Sequence, residues 1–106
     1  VTDYVQVSTA TDCREVGLSL AEGAVAARLA AGAQVVGPVI SVFWHEGRQG
    51  TGEEWQVLLF TTAARYPELE QHLLGAHQWS NPQVTAVPIV EGSREYLAWL
   101  ARSVAV

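Results

Sequence analysis

Few residues in this chain could do chemistry, and their spacing limits what they could do. There are three histidines and a single cysteine. His72 and His77 fall five residues apart in a segment with helical periodicity, about 140° apart around a helix, which is poor for a shared metal. His45 stands alone at the end of an extended segment. No His/Cys pair has zinc-site spacing. Cys13 falls in the first turn of an expected helix beside Arg14, where a thiol is activated, but no histidine is near it in sequence to act as a base. Glu53 and Glu54 are adjacent in an expected strand and point to opposite faces, so they cannot act together on one substrate. The glycine-rich stretch from Gly47 to Gly52 lacks Walker spacing and a following helix. None of these patterns makes a catalytic centre, so the residues predict a non-enzyme.

The four tryptophans are the other unusual feature at a length of 106 residues. Trp44 and Trp55 are expected to face each other across a hairpin, Trp79 follows the second helix, and Trp99 lies in the last. Buried core and interface anchoring is the ordinary use of such residues. The sharper reading is a ligand cleft at a subunit junction, lined by Trp44, Glu54, Trp79 and Trp99.

The elements that must position these residues follow one another with short connections. Tyr4 to Thr9 reads as a strand. Asp12 and Glu15 form a capping-box pattern that opens a helix, and Val16, Leu20, Ala24, Ala27 and Ala31 recur on one face. Gly32 suits the left-handed residue after that helix. Gln34 to His45 is extended, with Gly37-Pro38 marking a bend or an edge. Gly47 to Gly52 is a turn, and Glu53 to Thr62 returns as the second arm of a long hairpin. Pro67 opens a second helix carrying Leu69, Leu73 and Ala76. Asn81-Pro82 breaks the chain before a strand at Gln83 to Val90. Ser93 caps a last helix that buries Tyr96, Leu97, Leu100 and Val104. The order βαββαβ plus a helix predicts an α+β, ferredoxin-like sandwich over residues 1–106, with an antiparallel sheet and its helices on one face.

Composition adds two constraints. Charged residues make up 16% of the chain, against about 25% in ordinary domains, and the net charge is −5. All basic residues are Arg and are scattered, which argues against nucleic acid and against an anionic membrane surface. The opening Val1-Thr2-Asp3 has no leader pattern, no apolar run approaches membrane length, and a lone cysteine fits a reducing compartment, so a cytoplasmic location is expected. The strands are apolar on both sides: Val39 and Phe43 oppose Ile40, Val42 and Trp44; Trp55, Val57 and Leu59 oppose Leu58 and Phe60. Helices on one face leave the other wet, which predicts self-association.

Several stretches resemble the CutA divalent-cation-tolerance family. They are Ser8-Thr9-Ala10-Thr11-Asp12, Arg28-Leu29-Ala30-Ala31, Trp44-His45-Glu46-Gly47, Glu54-Trp55-Gln56, Thr61-Thr62, His77-Gln78-Trp79 with Pro82, and Glu95-Tyr96-Leu97-Ala98-Trp99-Leu100. The resemblance implies a homotrimer whose hairpins pair between subunits, a cytoplasmic location in bacteria and a link to copper and other divalent cations. The chain departs from that pattern at Gly32, where many members have Cys, at Phe60, where Lys is common, and at His45, where Trp is usual. His77 is the one metal-ligand position that carries over, with His45 as a second candidate for weak Cu2+ binding. Loss of the cysteine weakens a soft copper site. The alternatives are a PII-like trimeric sensor with a small molecule in its intersubunit cleft and a dimeric ferredoxin-like enzyme.

Overall fold

The computed structural model describes residues 3–106; the leader reading made on Val1 and Thr2 lies outside them. The elements are β1 (Tyr4–Thr11), α1 (Arg14–Ala26), β2 (Gly32–His45), β3 (Arg48–Thr62), α2 (Tyr66–Ala76), β4 (Thr85–Pro88) and α3 (Arg94–Ser103). The sheet runs β2-β3-β1-β4 and is antiparallel throughout. This is the expected small α+β architecture.

Strand parity explains the core. Val7, Val57 and Leu59 point to one face and are fully buried with Leu20, Ala24, Leu69 and Leu73 of α1 and α2. Small residues let α1 approach closely: a methyl at Gly17 would stand 3.1 Å from the Thr11 hydroxyl and 3.3 Å from Val35 and Val57. Burial of these aliphatic side chains supplies most of the driving force.

The helices do not all share that face, which corrects the one-sided expectation. Gly32 pairs with Phe60, so its missing side chain would point away from Val57 and Leu59. Trp99 lies 3.6 Å from that position. Thus α3 packs on the opposite face, where Leu100 and Val104 are buried apart from the main core. The rest of that face carries Val36 and Val87 exposed.

The helix ends also differ from the sequence reading. Cys13, not Asp12, is the N-cap of α1, and no side chain caps the helix there. Helix α1 begins one residue later than the capping box requires, and Thr11 Oγ1 donates to the Cys13 carbonyl instead (2.9 Å). At the other end the left-handed residue is Arg28 (φ 59°), not Gly32. The Arg28 and Leu29 amides donate to the Val25 and Ala24 carbonyls, a Schellman closure. The Arg28 guanidinium then reaches α3, donating to the Ser103 and Arg102 carbonyls at 3.0 and 3.1 Å. A cation on the last carbonyls of a helix suits the helix dipole. That long-range tie accounts for a non-glycine residue in a conformation that glycine accepts more cheaply. Ser93 is the N-cap of α3 as expected, without a side-chain bond.

The hairpin is longer and tighter than expected. Residues 48–52 belong to β3, and the turn is only Glu46-Gly47, both with positive φ. Such a two-residue turn matches the natural strand twist. At Gly37-Pro38, a cis peptide, the register slips between Val36 and Val39. The bulge reverses parity along β2, so Ile40, Val42 and Trp44 continue the helix side of the sheet beyond the reach of the helices. The arm gives the molecule its longest dimension, 44 × 25 × 22 Å. Strand β4 is shorter than Gln83 to Val90. The Gln83 side chain donates instead to Thr85, and Pro88 has no amide to extend the ladder.

Candidate functional site

Where the arm leaves the body, it forms a groove with the loop between α2 and β4. The floor comes from Ala10 of β1 and from Ser41, Phe43 and Glu54 of the arm; the wall comes from Trp79 and Asn81. The groove is half-open to solvent, with a volume of about 770 Å³, within the size range of small-molecule sites.

Register builds the floor. Val39 pairs with Glu54 and Ser41 with Gly52, which puts Ser41 and Glu54 on the same pleat as Phe43. The Ser41 hydroxyl donates to Glu54 Oε1 at 2.7 Å, fixing a half-buried carboxylate. Phe43 lies over Gly50, where a methyl would stand 2.7 Å from its ring. Only glycine at position 50 admits that ring.

The wall is set by His77. Its Nδ1 accepts from the Trp79 amide at 3.0 Å, so the proton sits on Nε2, which donates to the Ala10 carbonyl at 2.7 Å. Both ring nitrogens are engaged, and the ring lies 5.1 Å from that of Trp79. His77 therefore ties the loop to β1 and holds Trp79 against the groove.

The expected site residues are thus partly assembled. Glu54 and Trp79 meet in the groove. His45 borders its outer end, and its Nε2 is 3.4 Å from a Glu46 carboxylate oxygen at the hairpin tip. Trp44 borders the groove but sits on the opposite pleat from Phe43, and it is 79% exposed. Trp99 is elsewhere, on α3, with its ring 5.4 Å from that of Tyr96. Trp44 and Trp55 do not face each other, because Trp44 pairs with Gln49 while Trp55 packs under Gly37. Ser41 and Phe43 were not singled out from sequence. Their link to Glu54 depends on a register that the bulge shifts. Among the described residues no three His, Cys, Asp or Glu side chains converge as metal ligands. Cys13 and His72 lie outside the groove. No helix among the described residues is long and apolar enough to cross a membrane.

Comparison with known proteins agrees with this architecture. A divalent-cation tolerance protein CutA of Thermus thermophilus is 35% identical over 86 residues, covering 81% of this chain and 84% of that protein. A chloroplastic CutA 1 of Oryza sativa is 33% identical over 90 residues, 85% of this chain; the chain spans about half (51%) of that plant relative. The solved Thermus thermophilus Cut A1 structure superposes with a TM-score of 0.91 at 31% identity, covering 94% of this chain and 97% of that one. The family model for the CutA1 divalent ion tolerance protein matches residues 5–103. The chain belongs to the CutA1 divalent ion tolerance family.

Proposed function

We propose that this chain is a one-domain, cytoplasmic homotrimer, without enzymatic activity, that acts in tolerance of divalent cations, copper among them, and uses the groove as its ligand cleft. The observation that carries the assembly is the exposed apolar side of the arm. Ile40 is 74% exposed, Val42 62% and Trp44 79%. Contiguous apolar side chains at that exposure mark a surface that another chain covers. The family match over residues 5–103 favours cation tolerance over the PII-like alternative.

For copper, His45 is the readily available donor, exposed beside Glu46. His77 joins a metal only by releasing the Trp79 amide or the Ala10 carbonyl. Binding on this reading is weak, because two imidazoles and one carboxylate do not make a preformed site. Titration calorimetry with Cu2+ on wild type, His45→Ala and His77→Ala tests it. The expected result is weak binding that His45→Ala abolishes and His77→Ala reduces. Three identical isotherms would remove both residues from the copper account.

A further inference from the structure

We propose that the groove binds a small organic ammonium cation, held between the Glu54 carboxylate and the faces of Trp79 and Phe43. This rests on the ligand-cleft reading above, but not on the copper or trimer parts of it.

The charge of the groove sets the class of ligand. Glu54 lies in its floor, and no Lys or Arg lines it. Its Oε1 accepts from Ser41, while among the described residues it has no cationic partner. A half-buried carboxylate without a counter-ion disfavours phosphates and carboxylates as ligands and favours a cation. The chemistry of the walls then separates one kind of cation from another. A divalent metal requires several hard or borderline donors around a point, and the described residues supply no such cluster. Phe43 and Trp79 line the groove with aromatic rings instead. A quaternary or alkylated ammonium is weakly hydrated and is attracted to the faces of such rings within about 6 Å of the ring centroid.

The aromatic wall is also preorganised. The Trp79 backbone N–H donates to His77 Nδ1, the His77 ring is itself anchored to the Ala10 carbonyl, and the indole lies 5.1 Å from that ring. Phe43 is seated on Gly50. Rings partly restrained by such neighbours lose less side-chain freedom when a ligand arrives. The hydroxyl and amide groups of Ser80, Asn81 and Gln83 line the same groove. They suit a ligand that carries a polar group beside its ammonium end.

Choline is a suitable probe, with its uncharged carbon isostere 3,3-dimethylbutan-1-ol as the control. Binding is measured by titration calorimetry in wild type, Glu54→Gln and Trp79→Leu, and is placed in the groove by the shift of the Trp79 indole N–H resonance in wild type and Glu54→Gln. Glu54→Gln keeps an oxygen to accept from Ser41, so the floor stays built. The expected result is saturable choline binding, at least about tenfold weaker for the isostere and for each variant. A circular dichroism spectrum unchanged by Glu54→Gln assigns its loss of binding to the charge. Equal affinity for choline and its isostere would overturn the proposal, as would full affinity in Glu54→Gln or no choline shift in wild type. Displacement of choline by stoichiometric Cu2+ would also overturn it, by assigning the groove to a metal. Failure here leaves the chain mass and the copper isotherms of wild type unchanged, so the two readings fail separately.

Discussion

The body and the arm of this molecule use the same β2–β3 ladder for opposite ends. In the body, Val57 and Leu59 are fully buried between β1, β2 and the helices. Beyond the Gly37-Pro38 bulge, the same pairing continues through Val42↔Thr51 and Trp44↔Gln49, and the Ile40, Val42 and Trp44 side of it is exposed. Backbone hydrogen bonding keeps both regions folded. The body adds deep apolar burial within the chain, while the arm covers its apolar side chains only in part, as at Phe43 over Gly50. A two-stranded ribbon alone is marginal in water, so the arm borrows its order from the body and leaves Ile40, Val42 and Trp44 exposed.

This difference can be broken most sharply at Leu59. Leu59→Ala leaves a cavity in the central part of the sheet and is expected to cost about 2–5 kcal/mol, read by chemical denaturation. Ile40→Ala, in the arm, removes a side chain of similar size and is expected to cost the isolated chain under about 0.5 kcal/mol. Equal costs would abolish the distinction between the regions.

The junction comes next in size. A methyl at Gly37 would stand 2.8 Å from the Trp55 ring. Gly37→Ala therefore forces the ring or the bulge to move, at about 1–3 kcal/mol. Arg28→Ala keeps the left-handed backbone but removes the bonds to the Arg102 and Ser103 carbonyls, and should cost about 1–2 kcal/mol. Its further expected signature is faster amide exchange at the end of α3, with β1 and β3 unaffected. The smallest effect lies at the arm tip. Glu46 holds a positive φ that asparagine accepts more readily, so Glu46→Asn should stabilise the hairpin by a few tenths of a kcal/mol to about 1 kcal/mol.

Much of the body was legible in the sequence because its signals are local. Helical spacing of Leu69 and Leu73, the strand at Tyr4, Pro67 and the bend at Gly37-Pro38 all correspond to structure. The errors arose where a distant contact decides. Arg28 takes the left-handed position because its guanidinium is held by α3, 74 residues away, and no local rule selects it over Gly32. The capping box at Asp12 lost to a Thr11 bond that starts the helix one residue later. Position 99 reads as an ordinary buried tryptophan, yet its helix packs on the far face because Gly32 leaves room there.

The candidate site was legible in its residue types and not in its assembly. Glu54 and Trp79 stood out, but the Ser41 bond depends on the register after a bulge. The part played by His77 was the least visible. The family resemblance marks it as a ligand position, while the geometry shows both nitrogens engaged by the backbone. A histidine followed two residues later by an aromatic can close such a turn, and nothing in its own type distinguishes that use from metal binding.

If further copies of this chain cover the arm's exposed apolar side, the arm sets the mass of the particle in solution. Light scattering on the purified chain, with Ile40→Ser/Trp44→Ser as its partner sample, tests it most directly. Wild type is expected at three times the chain mass of 11.4 kDa, and the double variant at a lower mass with its far-ultraviolet dichroism retained. A single-chain mass for wild type, or an unchanged trimer in the variant, would contradict it.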